Sequence, residues 1–323
     1  MQIYVSSCTK DGGIYRYEIN NTGLRFVDKT PLSEPKYTVV HNGRLYALKK
    51  QAWSDCAVSG LISYKIESDG SLTEPSEILP TGGVGSCHLD IGKDGAVYTA
   101  NYYSGSVSRL FDGEIITVSH TGHSSDIFRQ SHPYAHFVRV LSDTNVVVCD
   151  LGCDEVVLYN KDLKRLGAAK MPSGTGPRHL VTAKNDSELW VLSEMGSTLT
   201  RLTYDGKALE VHETVDLYPD RMREVVQTKS AAIRISADEK TVYTSNRGFD
   251  VISIVDISTS KARLCGEISS CGGSPRDFNI SPDGKWLVVT NEASGIALFS
   301  IEGRIPKLVQ TYPLDAPLCV SFN

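Results

Sequence analysis

Two recurring sets of polar residues could carry the chemistry of this chain. His88, His136, Arg178, His179 and Arg276 each stand at the start of an apolar, strand-like run. Asn101, Asp150, Glu194, Arg247 and Glu292 each stand at the end of the run that follows. If the two runs pair as an antiparallel hairpin, both sets lie at the same end of it. The other ends carry ordinary turn residues, as in Lys93-Asp94-Gly95, Asp238-Glu239-Lys240 and Pro282-Asp283-Gly284. A hydrogen bond to a neighbour would explain any single member of these sets. Three arginines, Arg178, Arg247 and Arg276, converging on one mouth repel one another unless an anion or several carboxylates sit among them. A small anionic molecule is the natural guest, with imidazole and carboxylate at hand to move protons.

The elements that must position these residues repeat. An apolar–aromatic or all-apolar phrase recurs as Ile3-Tyr4-Val5, Leu45-Tyr46-Ala47, Val97-Tyr98-Thr99, Val146-Val147-Val148, Leu189-Trp190-Val191, Val242-Tyr243-Thr244 and Leu287-Val288-Val289. The step between phrases is about 47 residues, the period of a blade of several short strands. Asn42-Gly43, Asp94-Gly95 and Asp283-Gly284 supply the tight turns between first and second strands. Gly60–Tyr64 and Gly105–Arg109 read as third strands. The expectation is an all-β, seven-bladed β-propeller of four-stranded antiparallel blades, forming one domain over 1–323. The first phrase lacks a preceding strand, and Pro317–Phe322 resembles the first strands at Pro177 and Pro275. The C-terminal strand should therefore join the N-terminal blade and close the ring, leaving no open edge. The best helical candidate is Pro219–Thr228, in a connection. The tyrosines recur at strand positions and read as packing between blades.

Composition excludes several classes of function. Of 323 residues, 41% are hydrophobic and 22% charged, a globular balance that leaves no room for disorder or coiled coil. The net charge of −5 argues against nucleic acid or an anionic membrane as a partner. No run is apolar enough to span a bilayer, and the N-terminus does not read as an export signal. Eight scattered cysteines are then expected as reduced thiols in a cytoplasmic protein. Nothing in the pattern demands more than a monomer or a weak homodimer. No G-x-S-x-G elbow and no H-E-x-x-H occurs. The Cys149/Cys153 pair lacks a second pair at zinc spacing, and Gly82-Gly83-Val84-Gly85 opens no helix. No metal and no cofactor is expected.

Taken in order, longer phrases make a resemblance specific. They are Tyr4–Thr9 with Gly13–Tyr17; Ser86-Cys87-His88 with Ala100-Asn101-Tyr102; Pro133-Tyr134-Ala135-His136 with Asp150-Leu151-Gly152; Gly176–Leu180 with Glu194; Ala232–Ser236 with Ser245–Gly248; and Pro275–Asn279. From residue 3 to about 322 the chain resembles the seven-bladed propeller lactonases. That family includes propeller-type 6-phosphogluconolactonases and the fungal carboxymuconate lactonizing enzyme. The resemblance implies His136, Arg178, Glu194 and Arg247 as the catalytic set. His88, Asn101, Asp150, His179 and Arg276 are then expected to bind substrate. Two departures bear on the substrate: Tyr134 stands where the family often has a second histidine, and Leu48-Lys49-Lys50-Gln51 where it often has an acidic residue.

The implied activity is hydrolysis of a small anionic lactone, first of all 6-phospho-D-glucono-1,5-lactone in the pentose phosphate route. Water attacks directly, without a metal, with Glu194 or His136 as general base and the other group serving the leaving alkoxide. A muconate-type cyclisation or another lactone reaction is the alternative. A non-catalytic propeller that binds an anionic metabolite or a protein is a third reading, since fold alone does not imply chemistry.

Overall fold

The computed structural model describes residues 1–20, 23–218 and 227–323. Among these there is no helix. The helical candidate over Pro219–Thr228 lies outside the described residues except for Gln227 and Thr228, which are irregular.

The strands form seven sheets. The first contains β1 (Gln2–Ser7), β2 (Gly13–Asn20) and β3 (Gly23–Pro31), and the second β4 (Pro35–His41), β5 (Arg44–Lys49), β6 (Val58–Ile66) and β7 (Leu72–Thr73), with β8 (Leu79–Val84) also on β6. The third runs β9 (Ser86–Ile91), β10 (Val97–Asn101), β11 (Ser106–Phe111), β12 (Glu114–Ser119). The fourth runs β13 (Ala135–Val140), β14 (Val146–Asp150), β15 (Glu155–Tyr159), β16 (Arg165–Lys170). The fifth runs β17 (Pro177–Ala183), β18 (Glu188–Ser193), β19 (Thr198–Tyr204), β20 (Leu209–Asp216). The sixth runs β21 (Lys229–Ile235), β22 (Thr241–Arg247), β23 (Val251–Asp256), β24 (Arg263–Ser269). The seventh runs β25 (Pro275–Ile280), β26 (Trp286–Asn291), β27 (Gly295–Ser300), β28 (Lys307–Tyr312). The last strand, β29 (Pro317–Phe322), pairs antiparallel with β1, with Ile3 opposite Phe322 and Val5 opposite Val320. These are the seven antiparallel blades of a β-propeller, four-stranded except that the second carries β8 as a fifth strand, and the N-terminal one is completed by the C-terminal strand as the sequence predicts.

The chain divides into two compact units, Met1–Lys49, Ile62–Glu77 and Asp220–Asn323 in one, Lys50–Leu61 and Ile78–Pro219 in the other. Each has its own apolar cores between neighbouring blades. In the second unit Phe137, Val147, Val156 and Leu158 of the fourth blade pack with Leu180, Leu189, Val191 and Leu202 of the fifth. In the first unit Ile3, Val5 and Tyr17 pack with Val288, Ile296 and Leu298. Each such side chain, removed fully from water, contributes about 1.5–3 kcal/mol before conformational entropy is charged against it.

The aromatic residue of the repeated phrase has a polar task as well. Tyr4, Tyr98 and Tyr243 occupy the same place on second strands and are buried. Their hydroxyls donate to the carbonyls of Gly70, Lys161 and Arg304, at 2.7, 2.7 and 2.9 Å, in the following blade. Burial pushes the Tyr4 and Tyr243 phenols up to about 12, so each remains a donor across the working range of pH.

One irregularity recurs where the site residues stand. Near its start, every inner strand breaks register against the second strand of its blade. The residue at the break is Lys36, Cys87, His136, Arg178, Arg276 or Leu318, and in the sixth blade the break falls at Ala231-Ala232. Such bulges re-aim a side chain. Four of these strands begin with a proline, Pro35, Pro177, Pro275 and Pro317, which cannot donate to a ladder and is at home beside a bulge.

Candidate active site

In the unit that contains residues 78–219, three inner strands bring their histidines together. The His179 ring of β17 lies 5.3 Å from His88 of β9 and 5.3 Å from His136 of β13, both edge to face. Phe137 packs 4.0 Å from His88 and 5.1 Å from His179. His136 is the bulge residue of its strand, whereas His88 and His179 are the residues just after a bulge, level with Phe137. All three imidazoles are buried.

Beside them lies a buried ion pair. Arg178 is the bulge residue of β17, and Glu194 follows β18; the Arg178 Nε donates to Glu194 Oε2 at 3.0 Å. The two side chains are 3% and 6% exposed, so their attraction is little screened by water. The second oxygen, Oε1, accepts from Arg129 Nη2 at 2.6 Å.

Arg129 is a site residue that sequence reasoning missed. It sits in the connection 120–134 between β12 and β13, which carries no strand and no repeat phrase. The loop is held from within. Asp126 Oδ1 accepts from the amides of Phe128 and Arg129, both at 2.9 Å, and Gln130 Nε2 donates to the Leu151 carbonyl at 2.8 Å. Arg129 also hydrogen-bonds Tyr102, whose phenol burial raises, against the opposing pull of Arg129. Burial by itself would lower the Arg129 guanidinium, but the hydrogen bond and charge of Glu194 outweigh it and hold it above its ordinary value. Tyr102 packs 5.4 Å from His136 and 4.6 Å from Tyr134, and Tyr134 lies 4.0 Å from His132. Tyr102 and Tyr134 thus wall the site, although the sequence reads the tyrosines mostly as packing between blades.

Asn101 and Asp150, expected to bind substrate, are instead committed to the framework. Asn101 is fully buried; its oxygen accepts from Ser86 Oγ at 2.6 Å and its amide donates to Ser108 Oγ at 2.8 Å. Asp150 is also fully buried. Its Oδ1 accepts from the amides of Tyr134, Gly152 and Cys153 at 2.9, 2.9 and 3.1 Å, and Oδ2 bonds His120 Nδ1 at 2.6 Å. Strand register gives the reason. Asn101 and Asp150 lie opposite Ser86 and Ala135, at the level where other blades place Ser193, Asn246 and Asn291. Glu194, Arg247 and Glu292 are one residue further on, level with Tyr102 and Leu151. One step along a strand turns a side chain to the other face.

Arg247 and Arg276 belong to the other unit. The Arg247 guanidinium donates to the carbonyls of Lys229 and Ser230, both at 3.3 Å. Arg276, a bulge residue, bonds Glu292 at 3.4 Å. Nearby in chain order, Arg234 pairs with Asp277 at 2.9 Å and pins β21 to β25. A cleft of about 480 Å³ in this unit is lined by turn residues, among them Asp238 and Asp283. Those carboxylates are tied to their own turn serines, Ser236 and Ser281, at 2.6 Å, so the cleft presents little chemistry.

Among the described residues, no group of three or more His, Cys, Asp or Glu side chains is arranged to hold a metal ion. Cys149 and Cys153 are buried, and burial pushes the Cys153 thiol up to about 12, away from the thiolate that a metal needs.

Fold and site define a β-propeller whose inner-strand bulges display imidazole and guanidinium against a buried carboxylate. The family model for "Lactonase, 7-bladed beta-propeller" matches residues 2–322, and the chain belongs to that family. The 6-phosphogluconolactonase of Bacillus subtilis (strain 168) is 30% identical over 99% of this chain and 97% of its own length. A solved structure of a Lactobacillus plantarum protein superposes with a TM-score of 0.88 at 26% identity, covering 99% of this chain and 98% of that one. The structure of a Pseudomonas aeruginosa periplasmic gluconolactonase gives 0.85 at 20% identity, covering 99% and 98%, a likeness of fold.

Proposed function

We propose that the protein hydrolyses an anionic sugar lactone, 6-phospho-D-glucono-1,5-lactone to 6-phosphogluconate, in the cytoplasm. The observation that carries this reading is the Arg178–Glu194–Arg129 arrangement beside His88, His136 and His179, in a chain of the lactonase family whose relative in Bacillus subtilis bears the 6-phosphogluconolactonase name.

Hydrolysis adds water across the acyl C–O bond of the ring. In this reading His136 takes a proton from water as its oxygen attacks the acyl carbon. The tetrahedral oxyanion is stabilised by the Arg178 guanidinium, which Glu194 holds in place. The C–O bond to the ring oxygen then breaks, and the imidazolium returns the proton to the leaving alkoxide. Glu194, facing two guanidinium groups, serves better as an anchoring carboxylate than as a proton donor. His88 and His179 line the pocket. The family resemblance implies a role for Arg247, and the sequence pattern a substrate-binding role for Arg276; both belong to the other unit, and no step of the reaction is routed through them. Asp150 and Asn101 become positioning residues, because their polar atoms are taken up by the framework.

A panel of lactones assayed by proton release tests the proposal, with inorganic phosphate as competitor and a chelator as control. Turnover of the phosphorylated sugar lactone, competition by phosphate and indifference to chelator are expected. Turnover confined to a carboxylated, non-sugar lactone would move the assignment to a muconate-type reaction. A silent panel would leave a binding propeller.

A further inference from the structure

We infer that Arg129 is a positioning residue of the reaction: from the 120–134 loop it holds the second carboxylate oxygen of Glu194 and so keeps the Arg178–Glu194 pair oriented toward the reacting centre. The inference rests on the lactonase reading for its kinetic part only.

Geometry separates the two guanidinium groups that hold the carboxylate. Arg178 grips Oε2 through Nε from the rigid bulge of β17, with its side chain 3% exposed. Arg129 grips Oε1 from a loop, with its side chain 33% exposed. Bonded on both oxygens, Glu194 is fixed about its terminal torsion as well as in charge. Arg178 and Arg129 approach different oxygens of the carboxylate from different elements, so Arg129 adds a second, independent restraint on its orientation.

Other titratable groups face this pair from neighbouring elements. Tyr102, after β10, hydrogen-bonds Arg129 and feels the Glu194 charge; burial keeps it neutral. Cys87 of β9 acts on Tyr102 electrostatically, and His136 of β13 packs on its ring at 5.4 Å. Asp126 lies on the Arg129 loop and is itself held below the usual carboxylate range, first by the Arg129 amide and then by that of Phe128. The favourable coupling is mutual. Glu194 favours the charged Arg129 guanidinium, and Arg129 in turn attracts the carboxylate.

The loop is built to deliver this one contact. Asp150 anchors its two ends, at His120 and at the Tyr134 amide. Ser124 Oγ donates to Asp154 Oδ2 at 2.5 Å, and Asp126 and Gln130 close the turn that presents Arg129. Meanwhile Ile127 and Phe128, beside it, are 74% and 84% exposed, so the turn is shaped by its polar bonds and not by burial.

The test uses the full-length protein with Arg129→Gln and Arg129→Lys. The side-chain carboxyl of Glu194 is followed by ¹³C NMR from pH 3 to 8, its signal assigned by its loss in Glu194→Gln. Removing one facing cation is expected to raise the Glu194 midpoint by about one pH unit or more, and Lys to restore most of the difference. On the lactone that wild type turns over, kcat/KM should fall by about tenfold in Arg129→Gln, evenly across about pH 6–9, and Arg129→Lys should recover most of the loss. An unchanged Glu194 midpoint in a folded Arg129→Gln overturns the inference whether or not any lactone is hydrolysed. A raised midpoint with kcat/KM unchanged in Arg129→Gln, or a loss that Arg129→Lys does not recover, overturns the kinetic role. Failure of the lactonase reading is distinct: wild type would be inert on the whole panel while the carboxyl titration still reports on Arg129.

Discussion

Glu194→Gln is the most informative single substitution, because the change is isosteric and its consequences follow from geometry. Glutamine keeps one acceptor oxygen and replaces the other with an amino group, a donor. Whichever way the amide turns, one of Arg178 Nε and Arg129 Nη2 faces a donor where it now meets Oε2 or Oε1. The side chains of Arg178 and Glu194 are 3% and 6% exposed, so the Arg178 charge would be left buried beside a neutral amide. A hydrogen bond to a charged group contributes about 1.5–3 kcal/mol, and removing one partner of a buried pair costs about 3–5 kcal/mol. Arg129 can swing toward solvent, which favours the lower part of that range, about 3 kcal/mol. Urea denaturation at pH 7 should show this as a lower midpoint at constant slope. In the same preparation kcat/KM should fall by about 10²-fold or more, since the guanidinium that meets the oxyanion loses its anchor. A variant that keeps both wild-type stability within about 0.5 kcal/mol and wild-type turnover would refute the argument from burial and pairing altogether.

Other expectations follow from the same structure. Asp150→Asn removes the charge that gathers His120 and three backbone amides, so limited proteolysis should open the chain within 120–134 in this variant and not in wild type. Asp256 is held down at about 2, first by the Ser258 hydroxyl and amide and then by Arg304. Its folded value lies below the unfolded one, so its stabilisation is complete above about pH 4 and is lost as pH falls through about 2; Asp256→Asn should flatten that stretch of the acid denaturation curve. Tyr98→Phe deletes the 2.7 Å bond to the Lys161 carbonyl and should cost about 1 kcal/mol in a urea titration, with turnover unchanged. If the chain is one folding domain, calorimetry should show a single transition whose calorimetric and van't Hoff enthalpies agree.

Much of this protein was legible in its sequence, because a propeller is written as a repeat. Tight turns at Asn42-Gly43 and Asp94-Gly95, a buried second strand and a proline before each of several inner strands are local signals, and each recurs at blade spacing. The matching first strand at Pro317–Phe322 declared the closure onto β1 without any need of coordinates. The grouping of histidine, arginine and carboxylate at hairpin ends was legible for the same reason: hairpin ends are local. What tertiary structure decided was finer. A shift of one residue separates Glu194 from Asp150 and Asn101, and hydropathy cannot show which side of a strand end a polar residue will face. The bulges that single out His136 and Arg178 are properties of pairing between strands, so no residue type announces them. Arg129 lies in an irregular connection outside the repeat, and only the folding of that loop over the end of β18 brings it to Glu194. Local sequence determines which strands form and how often; long-range packing determines which charged atoms finally meet.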